Sequence, residues 1–206
     1  MSKSKSSSGW MQRHLTDHYV QQAQRDGYRS RASYKLLEIH ARDKLIKPGM
    51  SVIDLGSAPG GWCQVLADIV GMKGQIVAVD ILPMDPVAGV EFIQGDFTED
   101  EVLEAVLAIF ENSRVDLVVS DIAPNISGIK SADTARSIYL AELGLDLCDR
   151  LLAPGGAFLV KVFQGEGFDQ FLRDMRVVFG KVSTRKPKAS RPKSREMYLL
   201  GTGYRG

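Results

Sequence analysis

The sequence predicts a doubly wound α/β domain with a mostly parallel sheet and a last antiparallel strand, and three observations carry that expectation. From residue 51 onward, short apolar runs alternate with amphipathic helical stretches, as crossover units of a parallel sheet require. The first run ends in Asp-Leu-Gly-Ser-Ala-Pro-Gly-Gly-Trp (54–62) and leads directly into a helical pattern. Acids then close the next three runs, at Asp80, Asp96 and Asp121.

Residues 32–44 read as a helix ahead of the sheet. The runs 51–55, 75–80, 90–94, 115–121 and 156–163 read as strands, and their predominantly apolar character indicates burial on both faces. Between them Trp62, Val65, Leu66 and Ile69 recur at helical spacing, as do Leu103, Val106, Leu107 and Phe110. Ile138, Ala141, Leu145, Cys148 and Leu152 follow, with Pro154 and Gly155 as the stop, and then Phe168, Phe171, Leu172 and Met175. The last two apolar runs, 177–183 and 196–202, are separated only by the basic, proline-containing loop 184–195. No crossover helix fits in that loop, so the two should pair antiparallel.

With 206 residues, 44% hydrophobic and 25% charged, the composition is that of an ordinary globular protein. It excludes wholesale disorder, collagen and a disulfide scaffold. No apolar run approaches the ~20 residues of a membrane helix. Cys63 and Cys148 both fall within apolar helical patterns, which indicates buried thiols in a reducing compartment. The polar N-terminus lacks a secretory signal, and a cytoplasmic monomer is expected. Residues 1–9 read as a disordered basic tail, 10–47 as a basic helical extension and 48–206 as the main domain.

The formal charge of +1 conceals an uneven distribution. Residues 1–47 hold ten Lys and Arg against four acids, and residues 181–206 hold eight against one; the middle holds eight against twenty. Basic ends with Trp10, Tyr28, Tyr34 and Tyr198 interleaved point to a polyanion, above all nucleic acid, with Arg185, Lys186 and Lys188 as phosphate contacts.

A glycine-rich strand-to-helix turn lets a ligand approach backbone at a helix N-terminus. The dinucleotide fingerprint G-x-G-x-x-G is absent, which argues against a nicotinamide oxidoreductase. Asp80 lies 24 residues after Gly56, close to the ~20 expected of an acid that binds ribose hydroxyls. Three acids at the carboxyl edge suit a ligand with ribose hydroxyls, an amine and positive character. Lys161 interrupts the apolar run 157–163; a lysine there either snorkels to the sheet edge or serves a site, and an acid such as Asp121 on the neighbouring strand favours the site. His14 and His18 have helical spacing but no third ligand, so no metal site is expected.

Together these strings, with 82–86, 94–97, 120–125, 160–167, 194–198 and Ser-Arg-Ala-Ser-Tyr-Lys-Leu (30–36), closely resemble the FtsJ/RrmJ (RlmE) family of bacterial 23S ribosomal RNA 2′-O-ribose methyltransferases, from about Trp10 to Thr202. The resemblance implies a Rossmann-like S-adenosylmethionine-dependent methyltransferase fold with a final antiparallel strand. It implies S-adenosylmethionine as donor, and as acceptor a uridine 2′-hydroxyl in the A-loop of 23S rRNA in the large subunit. The family's catalytic Lys, Asp, Lys and Glu fall on Lys35, Asp121, Lys161 and Glu196, with Lys161 as the expected general base. Its donor contacts fall on Gly60, Trp62, Asp80, Asp96 and Asp121. Ser57 and Cys63 stand where relatives often carry Ala and Ser. A non-catalytic RNA-binding ribosome assembly factor with a vestigial donor pocket is the alternative from another functional class.

Overall fold

The computed structural model describes residues 17–110, 113–191 and 194–206. Its seven strands are β1 (Ser51–Leu55), β2 (Gln75–Asp80), β3 (Glu91–Gln94), β4 (Val115–Ser120), β5 (Leu152–Phe163), β6 (Phe179–Arg185) and β7 (Glu196–Tyr204). They form one sheet in the order β3-β2-β1-β4-β5-β7-β6. The first five are parallel, and β7 runs antiparallel to both β5 and β6. The helices are α1 (His18–Asp26), α2 (Ala32–Asp43), α3 (Gly61–Val70), α4 (Asp100–Ile109), α5 (Lys130–Leu151) and α6 (Phe168–Val178). None is long and apolar enough to cross a membrane. The tail 1–9, Trp10 and His14 lie outside the described residues.

The period-2 geometry of strands divides the core into two layers. Ile53, Val118, Phe158, Val160 and Leu199 pack with α4, α5 and α6. Val52, Leu117, Val119, Leu159, Tyr198 and Leu200 pack on the other face, against Leu36 and Ile39 of α2 and Trp62, Val65 and Leu66 of α3. The same parity carries Asp121 two positions beyond Val119, Lys161 beyond Leu159, and Glu196 two before Tyr198 onto the face that α2 covers.

Some expectations change in detail. Burial on both faces holds for β1, β2 and β4, but β3 is an edge strand whose residues are only half-buried or exposed, because it has a single sheet neighbour. The helix before β5 ends at Leu151, and Pro154 and Gly155 lie inside β5, where the register to β4 shifts. Val177 and Val178 finish α6, so β6 begins only at Phe179. The periodicity did not reveal α1, which buries only Val20 and Ala23; Asp17 caps it by accepting from the Tyr19 N–H, and Gly27 ends it at φ 78°. Cys63 and Cys148 are buried free thiols.

Candidate active site

Four charged side chains meet where the α2-covered face reaches the carboxyl edge of the sheet. The Lys161 ammonium lies 3.0 Å from Asp121 Oδ1 and donates to the Asp121 backbone carbonyl at 2.6 Å. Lys35 Nζ, from α2, lies 3.6 Å from Asp121 Oδ2 and 3.2 Å from Glu196 Oε1. The order Lys161, Asp121, Lys35, Glu196 therefore alternates in sign. Each side chain retains at most 14% of its exposure, so each charge depends on its neighbours for stabilisation.

Sequence reasoning missed Tyr198 as a fifth member. Its ladder position is directly opposite Lys161, and its hydroxyl donates to Asp121 Oδ1 at 2.5 Å. Burial raises the Asp121 carboxyl, but Lys161, Lys35 and the Tyr198 hydroxyl outweigh it and hold the group below the ordinary carboxylate range. Burial likewise opposes the Glu196 carboxylate, and Lys35 turns the balance downward. Tyr198 goes the other way: burial and the facing Asp121 push its phenol well up, so it remains a donor.

Beside the tetrad, Gly56, Ala58, Asp80, Leu82, Asp96 and Asp121 line a cleft of about 400 Å³, within the ~300 to 1,000 Å³ usual for small-ligand sites. Asp80 holds its rim, accepting from the Ala58 N–H at 2.9 Å and from the Leu82 N–H at 2.8 Å. Asp96 accepts from the Thr98 N–H at 2.9 Å. The turn needs glycine: a Cβ on Gly56, at φ 76°, would lie 2.3 Å from Ile122 Cγ1, and one on Gly60, at φ 103°, would lie 2.7 Å from Arg29 Nη1. Arg29, also missed, ties the turn to the loop after β2 by donating to the carbonyls of Pro59 (3.2 Å), Asp85 (2.6 Å) and Pro86 (2.7 Å).

Gly60 and Trp62 do not line this cleft. Gly60 precedes the first turn of α3. Trp62 is buried; its indole N–H donates to the Ala32 carbonyl at 2.8 Å, and its ring packs 5.9 Å from Tyr198. Behind the turn, Cys63 donates to Asp54 Oδ2 at 3.2 Å, whereas Asp54 Oδ1 and Ser57 Oγ are buried without a partner. Burial, aided by Asp121 and Asp80, pushes the Asp54 carboxyl up to about 7.

A second cleft of about 490 Å³ opens over Lys35, Lys161 and Glu196, with Arg31, Ile126 and Arg191 also among its walls. The basic loop supplies less free charge to it than expected. Arg185 donates twice to the Asp43 carboxylate, at 2.7 and 2.5 Å, and Lys186 donates to the carbonyls of Ser194 and Glu196. Lys188 and Arg191 remain exposed. Of the described aromatics in those basic ends, Tyr34 and Tyr198 are buried and Tyr28 is half-buried.

A model of the family described as FtsJ-like methyltransferase matches residues 28–204. The "Ribosomal RNA large subunit methyltransferase E" of Marinobacter nauticus is 59% identical over 205 residues, covering 100% of this chain and 99% of that protein. The protein of that name from Chromohalobacter salexigens is 61% identical over 203 residues, 98% of this chain and 97% of its own. The crystal structure of a ribosomal RNA methyltransferase from Plasmodium falciparum superposes with a TM-score of 0.77 at 30% identity, covering 87% of this chain and all of that one. With a family model spanning the sheet and tetrad, and relatives near 60% identity from end to end, the chain belongs to the FtsJ-like methyltransferase family.

Proposed function

We propose that the protein transfers a methyl group from S-adenosylmethionine to the 2′-hydroxyl of a uridine ribose in the A-loop of 23S rRNA, within the large ribosomal subunit. The observation that carries this reading is the tetrad itself, set between a donor-sized cleft and a second cleft on the basic side. The names of the full-length relatives support the rRNA of the large subunit as substrate.

The first cleft suits the donor. Asp80, Asp96 and Asp121 along one rim favour ribose hydroxyls and positive charge. The unpartnered, buried Asp54 Oδ1 and Ser57 Oγ leave polar capacity behind the same turn. In this assignment Asp80 accepts from the ribose hydroxyls and Asp96 from the base. Gly60 and Trp62, at the α3 N-terminus, lie outside this cleft, and the Gly60 N–H is already donated to the Ser57 carbonyl at 2.7 Å. When bound, S-adenosylmethionine supplies a methyl on a positively charged sulfur that departs with the electron pair of the breaking C–S bond.

The chain then has two tasks: aligning the acceptor oxygen with the methyl and removing its proton. Lys161 Nζ, as the neutral amine left once its own proton has gone to solvent, accepts the hydroxyl proton as the oxygen forms its bond to the methyl carbon. Asp121 fixes Lys161 through both its carboxylate and its carbonyl, and Tyr198 fixes Asp121. Lys35, held by Glu196, places a positive charge where the hydroxyl oxygen gains negative charge. The test is to incubate large subunits from cells lacking the gene with the protein and methyl-labelled donor, then map 2′-O-methylation at nucleotide resolution. One uridine in the A-loop should acquire the label; label elsewhere, or on a base, overturns the assignment.

A further inference from the structure

The segment that follows Asp121 carries two exposed isoleucines, Ile126 at 72% and Ile129 at 63%. Neither belongs to a core layer, and their segment is firmly held. Asp133, buried in the first turn of α5, accepts from the Ser127 N–H at 2.8 Å, the Ser127 hydroxyl at 2.7 Å and the Gly128 N–H at 3.3 Å. The Ile129 N–H in turn donates to Ser127 Oγ at 3.2 Å. A loose loop could fold such side chains away from water, whereas this one keeps them out.

Their position gives that exposure a use. Ile126 lines the same cleft as Lys35 and Lys161, and Lys161 at its floor is only 7% exposed. A ribose within a stacked RNA cannot bring its 2′-oxygen to so recessed an amine unless the nucleotide leaves the stack. Proteins that unstack nucleic acid insert aliphatic wedges beside cationic phosphate contacts. Exposed Lys130 and Arg136 flank the two isoleucines here, and Arg136 also donates to the Asn125 carbonyl at 3.5 Å.

We propose that Ile126 and Ile129 form an apolar wedge that takes the place of the acceptor base in the RNA stack and so holds its ribose in the Lys161 cleft. The inference rests on the reading that the acceptor is an RNA ribose hydroxyl, and it adds two residues that set which nucleotide enters.

The test uses the full-length protein and large subunits from cells lacking the gene, with enzyme in saturating excess. Three proteins are compared: wild type, the double variant Ile126→Ser with Ile129→Ser, and the apolar double variant Ile126→Met with Ile129→Met. The serine variant should lose about 10- to 100-fold in the maximal single-turnover rate, the factor that burying a single aliphatic side chain supplies. Its affinity for S-adenosylmethionine should not change, and the methionine variant should retain most of the rate. Chemical probing of the bound subunit should show the acceptor base out of the stack with wild type and stacked with the serine variant. An unchanged maximal rate overturns the wedge. A loss confined to apparent subunit affinity, with wild-type probing at saturation, overturns it too and assigns the isoleucines to docking on a ribosomal protein. Failure of the wild type to transfer any methyl to the subunits defeats the underlying reading instead.

Discussion

Replacing Asp121 by Asn removes one charge from the centre of the tetrad and leaves its shape. At an effective dielectric constant near 20, the attraction of the carboxylate for Lys161 at 3.0 Å and Lys35 at 3.6 Å is about 5 kcal/mol each before desolvation is subtracted. Removing one partner of a buried ion pair costs about 3 to 5 kcal/mol net. Asn keeps the backbone bond to Lys161 and an acceptor for Tyr198, so about 3 kcal/mol is expected, a fall of about 6 to 12 °C in Tm for a chain of this size. The pH dependence has a defined sign. The Asp121 carboxyl is lowered in the folded state, so its contribution is present above the unfolded value of about 3.9 and is lost as pH falls through the folded one. Urea unfolding of wild type and Asp121→Asn at pH 7 and at pH 3.5 measures this directly. The gap should be large at neutral pH and narrower in acid. Equal stability at pH 7, or a gap independent of pH, would refute the electrostatic account of the tetrad.

Other substitutions separate the remaining parts. Asp80→Ala should weaken S-adenosylmethionine binding by about 1 to 3 kcal/mol in calorimetry, the cost of a lost charged hydrogen bond; unchanged affinity would leave Asp80 with only its Ala58 and Leu82 contacts. Asp54, raised from 3.8 to about 7, binds its proton more tightly folded than unfolded, so wild type should lose about 4 kcal/mol relative to Asp54→Asn between pH 4 and pH 7.5. A pH-independent difference in unfolding free energy would contradict the raised value. Lys188→Glu with Arg191→Glu should weaken RNA binding and flatten its salt dependence, whereas Arg185→Glu should chiefly lower Tm by breaking the Asp43 pair. An Arg185 variant with unaltered Tm but a flatter salt slope would reverse that division.

Much of the sheet was legible because parallel strands buried on both faces are predominantly apolar, as 51–55, 75–80 and 115–120 are. For the same reason Lys161 stood out, and its acid partner could be sought on the neighbouring strand end. Lys35 and Glu196 could not be found by pattern, since α2 and β7 are far apart in sequence and only the folded sheet brings them to Asp121; the family resemblance pointed to them. Tyr198 was hidden because an aromatic among basic residues reads as a contact for nucleic acid; its register opposite Lys161 was the available clue. Arg29 and Arg185 read as surface charge, yet one clamps two loops and the other closes a salt bridge across 142 residues. Charge counting cannot distinguish a cation spent on the fold from one left for phosphate.

In the proposed mechanism Lys161 takes the proton from the acceptor hydroxyl, and a base must give up its own proton first. Arginine preserves the charge at that position but does not deprotonate in a protein. The decisive measurement is the single-turnover methylation rate of wild type, Lys161→Arg and Lys161→Ala on large subunits across a pH series, with folding monitored in parallel. The wild-type rate should rise with pH, and the Arg and Ala variants should be comparably slow, each down by roughly 10² to 10⁴. Substantial activity in Lys161→Arg, or a wild-type rate that falls as pH rises while the protein stays folded, would contradict it and make Lys161 a stabiliser of charge.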